Sequence, residues 1–461
     1  MADLTPWRRE LKSALLVNSI LAQVFSAEAI EAACRALGHE WRDSFWNPTT
    51  TLVTFLFQVL SAEKTLRAAV ADLLAQLAAL GRRHLPSPDP AAYCQARQRL
   101  PAKVLVGLLG NVVEQMKGLP QSTLTWLGRR VWIADGTTVS MPDEPELQAA
   151  FPQPSAQKPG CGFPVARLEV LFCWATGGIV DAVIGSLHSA ELPLFRKLWH
   201  HFQAGDVALC DRAYCAYVDM VRLLQRGVFG VFRLHQRRKA DFRMGKRLGK
   251  DDQLVTWQRP AWVESMGISK QELEALPETM TVRMVRITGA PRGFRSRTIF
   301  VVTTLLDPIE TPADQIRALY RDRWQAELHL RSIKVQLGMD ILRGKSLDVV
   351  TKEIIMHLVE YNLIRLMMWH AAREHGCDLH RLSFTGTLHR LRDTLASLLR
   401  ARTQAEALNL LAQLLQWIAA DTVPDRPNRV EPRRKKRRPK QYSLLNKPRS
   451  RYHRHGDTNA R

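Results

Sequence analysis

The stretch Tyr320-Arg-Asp-Arg-Trp-Gln-Ala-Glu-Leu-His-Leu-Arg-Ser-Ile-Lys334 places Tyr320, Arg323, Glu327 and Lys334 at gaps of three, four and seven residues. At about 100° of rotation per residue, these four and Arg331 fall within an arc of about 80° on one helix face. Thr311-Pro312-Ala-Asp314 predicts where that helix starts: an N-cap, a proline at the first helical position and an acid two residues on. Leu319, Ala326, Leu330, Ile333 and Leu337 gather on a neighbouring arc and supply an apolar flank to bury. One carboxylate is thereby held on a rigid element among cations and a phenol. Arg323 with Glu327 and Glu327 with Arg331 also read as ordinary i,i+4 ion pairs, each worth about 0.3 kcal/mol on a solvated face. The helix alone does not choose between these readings.

Two upstream segments add weight. Val131-Trp-Ile-Ala-Asp135 runs into Gly136-Thr137-Thr138, and Val207-Ala-Leu-Cys-Asp211 runs into Arg212-Ala-Tyr214. Apolar runs of four closed by a polar residue and a turn predict buried strands. An aspartate at the carboxyl end of such a strand stands where open α/β sheets bind ligands, although Asp also caps turns. With Glu327, three carboxylates on three elements can converge. Three carboxylates suit two-metal phosphoryl transfer, in which magnesium takes oxygen ligands and two ions about 4 Å apart serve the attacking and leaving oxygens. Histidine and cysteine, which would favour softer ions, are absent from these positions.

The pattern Y-x2-R-x3-E-x6-K, preceded by an apolar strand with Asp-Gly-Thr and another with Asp-Arg, resembles the DDE transposases of bacterial insertion sequences. The nearest branch is the IS-four type with its Y-R-E-K helix. The resemblance runs from about Trp46 to the basic tail, and Gln95-Ala-Arg97-Gln-Arg99-Leu100 is more weakly similar to the family's N-terminal region. It implies an RNase H-like fold, a mixed sheet flanked by helices, with a β-rich insertion between the second and third acids. It implies that Asp135, Asp211 and Glu327 are the catalytic, metal-binding acids and that Mg2+ is bound as two ions, with Mn2+ able to substitute. Tyr320, Arg323 and Lys334 would then hold the DNA strand, with Arg212 and Arg331 as further contacts; cationic side chains neutralise phosphates and a phenol can donate to one. The implied substrate is double-stranded DNA, namely terminal inverted repeats and a target, handled by a homodimer on paired ends through a hairpin intermediate.

The rest of the chain is read around that core as α/β. Residues 1–125 form a helical N-terminal domain, with apolar periodicity at Leu52–Leu80 and Val104–Met116, suited to recognising a DNA end. Residues 126–235 hold the first part of the core. Its strands are expected at Leu168–Trp174, Ile179–Ile184 and Val228–Leu234, its helices at Leu192–Phe202 and Val218–Leu224, and Gly177-Gly178 makes a hairpin turn. Residues 236–307 are the β-rich insertion, with strands at Thr281–Ile287 and Thr298–Leu305; Trp257 and Trp262 could stack on an unpaired base or pack in a core. Residues 308–420 complete the core and add helices, and 421–461 form a disordered basic tail.

The formal net charge of +22 over 461 residues calls for a polyanionic partner. From Arg426 to Arg461 there are fourteen Lys or Arg against Glu431 and Asp457, giving +12 and leaving +10 for the other 425 residues. Arg433-Arg-Lys-Lys-Arg-Arg438 therefore reads as a backbone-binding tail, with a nuclear-import signal as the competing reading. Ile354–Ala372 is long enough to span a bilayer, but His357, Glu360, Asn362 and Arg365 interrupt it and predict a core helix. Ala14–Phe25 after Arg8, Arg9 and Lys12 looks like a signal peptide, against which stand Asp3, Glu10, Asn18, Ser19 and Gln23. Seven cysteines without a C-x-x-C pair suggest neither a disulfide framework nor a structural zinc, and the expected location is cytoplasmic, away from membranes. Two other functions share these residues: a metal-dependent nuclease without strand transfer, and a transposase-derived DNA-binding protein that no longer cuts. The intact acidic triad argues against the second, since a binder of an anion has no use for clustered carboxylates.

Overall fold

The computed structural model describes residues 27–42, 44–81, 85–117, 125–288, 298–401, 403–424, 445–448 and 451. Ala14–Phe25 and the hexamer Arg433–Arg438 lie outside the described residues. Two compact units emerge, one drawn from Met1–Gly118, Met141–Leu147 and Ser332–Asp425, the other from Leu119–Ser140, Gln148–Arg331 and Arg426–Arg461.

The second unit is built on a ten-stranded sheet. Its strands are β1 (Thr125–Trp126), β2 (Arg129–Ser140), β3 (Val165–Cys173), β4 (Ile179–Ser186), β5 (Val207–Cys210), β6 (Phe229–Arg233), β7 (Lys246–Gly249), β8 (Asp252–Gln258), β9 (Thr279–Thr288) and β10 (Thr298–Thr303). They lie in the order β4-β3-β2-β5-β6-β10-β9-β8-β7, with β1 paired to β2. The β2–β5 and β5–β6 pairs are parallel and the others antiparallel. Three antiparallel strands followed by two parallel ones, with helices between, is the RNase H-like core. The insertion extends the same sheet through β10 on β6, rather than folding apart from it. β7 and β8 have no counterpart among the expected strands; charged residues and a β-bulge break the alternation there.

Local chemistry sets the register of this sheet. Asp206, just before β5, accepts both guanidinium nitrogens of Arg130 at 2.9 Å and the indole N–H of Trp132 at 2.8 Å, which ties the start of β5 to β2. The hairpin between β3 and β4 turns at Gly177, whose φ of 65° is open to glycine at no steric cost. One face of the sheet buries Ala134, Leu171, Ala208, Cys210 and Phe232 against Phe195, Met220 and Val221 from the helices Glu191–Lys197 and Tyr217–Gln225. Trp257, Val282 and Met284 join that core, so insertion and central strands share one apolar interior.

The other unit is helical. Ala27–Ala36, Pro48–Leu60, Leu66–Ala79, Ala91–Arg99 and Ala102–Lys117 join Leu347–Glu374, Phe384–Arg400 and Gln404–Ala420. Asn47 caps the second of these through the Thr50 amide at 2.9 Å, with Pro48 in the first turn where its missing N–H costs nothing. The 28-residue helix Leu347–Glu374 is buried on nearly all sides. Two of its buried charged residues are held by backbone partners: Glu353 accepts the backbone amides of Arg343 and Gly344, and Lys352 donates to the Gln98 carbonyl at 2.8 Å. Among the described residues no helix is long and apolar enough to cross a membrane. Arg97 is buried, donating to Gln58 at 3.1 Å with its guanidinium 4.8 Å from the Phe55 ring.

Candidate active site

Asp135 does not end its strand, as the sequence suggested; β2 continues to Ser140, paired with β3 throughout. What ends there is the parallel pairing. Ala134 is the last residue of β2 matched to β5, opposite Cys210, and the next residues on the two strands are Asp135 and Asp211. Neighbouring strands lie about 4.8 Å apart, so the parallel register sets these two acids side by side. The Asp135 carboxylate accepts the Gly136 amide at 2.9 Å. Asp211 caps the short turn Arg212–Tyr214 through the Ala213 amide at 2.6 Å.

Glu327 comes from a helix that packs on the same face. The register pairs Asp135 with Val170, and Phe172 two residues on shares that face. There the Phe172 ring lies 5.4 Å from the ring of His329, which is two residues beyond Glu327. The Trp174 indole also donates to Asp322 at 3.0 Å and fixes the end of the preceding helix. That helix departs from the expected one in three ways. Pro312 is the N-cap rather than the first helical residue, while the Thr311 hydroxyl donates to the Asp307 carbonyl at 2.7 Å. The helix is divided at Arg323 into Ala313–Asp322 and Trp324–Arg331. It ends in a π-helical turn, Ser332–Gln336, so 100° spacing does not carry through to Lys334. Single π-turns of this kind recur at functional sites.

The electrostatics report the same convergence. Burial pushes the Asp135 carboxyl up to about 7; Asp211 and Glu327 add to the rise, while Arg323 and the Gly136 amide oppose it. Burial also raises the Tyr320 phenol, which lies close enough to feel both Arg323 and Asp211. Although burial opposes it, Tyr320, Glu327 and Asp135 hold the Arg323 guanidinium above its ordinary value, and its Nη2 donates to Glu327 Oε1 at 2.8 Å. Asp135, Asp211, Glu327, Arg323 and Tyr320 therefore form one electrostatic cluster. Arg212 and Arg331 are exposed, Lys334 is half-buried in the π-turn, and Tyr320 is 6% exposed. Trp257 is committed to the core beneath Arg238, 3.9 Å from its ring, whereas Trp262 keeps an exposed face.

Sequence reasoning missed the groups beneath the acids. Glu169, directly opposite Gly136, is fully buried and accepts the Tyr214 hydroxyl at 2.6 Å; burial pushes it up to about 8. Its signal was a lone acid inside Leu168-Glu-Val-Leu-Phe172, an apolar strand run. A second group was also missed. The ligand atoms of Asp181, His200 and His201 lie within 4.8 Å of one another, and among the described residues no group this tight contains Asp135, Asp211 and Glu327. Asp181 pairs with Leu171, placing it on the opposite face of the sheet from Asp135.

The sequence model of the family described as "Transposase DDE domain" matches residues 126–363. This chain is a DDE transposase. It is similar to the transposase InsG of insertion sequence element IS4 from Escherichia coli (strain K12), with 25% identity over 77% of this chain and 78% of that one. Among solved structures it resembles a piggyBac transposase synaptic complex with hairpin DNA, at 11% identity and a TM-score of 0.41 over 87% of this chain and 85% of that one. As a DDE transposase it is an endonuclease and strand transferase acting on DNA, and its family works with a divalent metal.

Proposed function

We propose that this transposase cuts at the ends of its own insertion sequence and joins the freed 3′ ends to target DNA, using Asp135, Asp211 and Glu327 as its catalytic acids. The observation that supports this is the side-by-side position of Asp135 and Asp211 just past the β2–β5 parallel register, with Glu327 near enough to act on the Asp135 carboxyl. Metal fit follows from the donor set. The site is all-oxygen, Asp211 and Glu327 raise the proton affinity of Asp135, and among the described residues the three acids are spread more widely than a single-ion cage. Two magnesium ions suit such a site, with manganese able to replace them. When bound, they supply charge stabilisation at the attacking and leaving oxygens. Arg323, paired with Glu327, orients that carboxylate and partly offsets the acids' repulsion. Tyr320, Lys334, Arg212 and Arg331 contact backbone phosphates of the transposon end. The helices before residue 118 recognise the end sequence, the basic tail adds affinity without sequence preference, and two protomers act on paired ends in the cytoplasm through a hairpin intermediate.

The test is purified protein with magnesium and a labelled duplex carrying the element's terminal repeats. Nicking followed by joined products is expected. Nicking without joining would leave a nuclease, and binding without cleavage a retired transposase. Lys334→Ala and Arg331→Ala are each expected to lower the slope of log K against log salt by about one. An unchanged slope would remove the phosphate contact. Because Asp135 titrates near 7 and ions need its anion, Mn2+ affinity is expected to fall as pH drops below 7, by about tenfold per unit when one proton is displaced. Calorimetric titration between pH 6 and 8 measures it; a flat profile would remove Asp135 from the metal site.

A further inference from the structure

Glu169 and Tyr214 have no part in the chemistry described so far, yet they join the two segments that present the aspartates. Glu169 sits on β3, on the opposite face of the sheet from Asp135 and directly across from Gly136. Tyr214 closes the short turn that Asp211 caps. The 2.6 Å bond from the Tyr214 hydroxyl to Glu169 Oε1 therefore links the β3 residue paired with Gly136 to the turn after the second aspartate. Both side chains are buried, at 0% and 1% exposure, and the Tyr214 ring is wedged edge-on 5.2 Å from Phe195. The approach of the Glu169 and Glu191 carboxylates to residue 136 is tight. A Cβ there would meet Glu169 Oε2 at 3.2 Å and Glu191 Oε1 at 3.5 Å. Arg167 steadies the surroundings by pairing with Glu191 at 2.9 Å.

A carboxylate is a costly way to fill a strand position inside an apolar run, and Glu169 Oε2 has no hydrogen-bond partner among the described residues. A phenylalanine or leucine would pack there without that cost. The hydrogen bond to Tyr214 ties the Glu169 side chain of β3, behind Gly136, directly to the Asp211 turn, on the face of the sheet away from Asp135. We propose that Glu169 and Tyr214 are positioning residues that set the spacing of Asp135 and Asp211 for divalent ions, from the side of the sheet away from the DNA. This rests on the assignment of those aspartates as metal ligands.

Manganese affinity measured by calorimetry without DNA, together with the metal dependence of cleavage and duplex binding, tests the pair. Tyr214→Phe removes one oxygen and keeps the packing. It is expected to weaken Mn2+ binding by about tenfold, the usual scale for a group supporting a metal ligand, and to raise the metal concentration for half-maximal cleavage to match. Duplex affinity stays the same. Glu169→Ala has a similar effect, and the double variant is no worse than the weaker single one, because both remove one bond. Glu169→Gln keeps a carbonyl oxygen for the phenol and restores metal affinity to within about threefold. Unchanged Mn2+ affinity in folded Tyr214→Phe, or losses that add in the double variant, overturns the proposal. So does a Glu169→Gln variant as impaired as Glu169→Ala. Asp135→Asn run alongside separates the two levels. If it also keeps full Mn2+ affinity, the metal assignment itself fails; if it alone loses affinity, only the positioning role fails.

Discussion

Asp135→Asn, Asp211→Asn and Glu327→Gln are each expected to lower strand cleavage by on the order of 10³-fold or more while leaving affinity for the transposon end within about threefold. Amide for carboxylate keeps volume and hydrogen-bond geometry and removes only the anionic oxygen, so the loss reports on charge at the reacting phosphate. Asp135→Asn carries a second, opposite signature. Its carboxyl is held near 7 in the fold against an ordinary 3.8, so the folded state binds that proton more tightly than the unfolded chain. The corresponding stability is present below about pH 4 and is lost as pH rises through 7. At pH 8 without metal, the wild-type site therefore carries a full electrostatic cost that Asn does not. The variant is expected to melt a few degrees higher at pH 8 and to lose that advantage at pH 5. A variant that cleaves at near wild-type rate, or melts lower at pH 8, would contradict the role given to this residue.

Arg283→Met is expected to destabilise the sheet-bearing unit by about 3–5 kcal/mol, the scale seen when one partner of a buried ion pair is removed. Arg283, on β9, has no exposed surface and grips Asp252 on β8 with two bonds of 2.8 and 2.6 Å. Its remaining nitrogen donates to the Thr311 carbonyl at 2.7 Å and the Asp307 carbonyl at 3.2 Å. Those carbonyls lie just before the helix Ala313–Asp322, so an insertion residue anchors the element that leads to Arg323 and Glu327. Replacing Arg283 strands the buried Asp252 carboxylate and the carbonyl of buried Thr311 without a cationic partner. The double variant Arg283→Met with Asp252→Leu is expected to recover more than half of the loss, since it removes the orphaned charge. Denaturant unfolding measures both. A loss under about 1 kcal/mol for the single variant would mean that water reaches the pair.

Much of the local structure could be read from the chain. Short segments rich in apolar residues marked β3, β4, β5, β6, β9 and β10, because a strand with a buried face must present apolar side chains to it whatever its partners. The boundaries at Val207 and Ile179 matched closely. The reading failed where the signal was not local. Asp135-Gly-Thr-Thr looked like a turn because Gly and Thr follow an acid, but β3 pairs with this segment as far as Ser140 and holds it extended. Lys334 looked coplanar with Glu327 on an ideal helix, and the π-turn breaks that spacing. Glu169 could not be singled out from the chain, because a lone acid in a strand acquires meaning only from what lies across the sheet.

By itself the sequence determined which side chains are available and in what order: two aspartates behind apolar strands, a glutamate on a helix with Tyr320 and Arg323, and a surplus of positive charge. These follow from periodicity and composition, which act within a few residues. Tertiary structure decided which of them meet. Asp135 and Asp211 are 76 residues apart, and only the parallel pairing of β2 with β5, pinned by Asp206 on Arg130 and Trp132, brings them together. Likewise, a 28-residue helix buried on nearly every side must be enclosed. Which helices enclose it depends on burial shared between segments more than 200 residues apart, a quantity no local window of sequence contains.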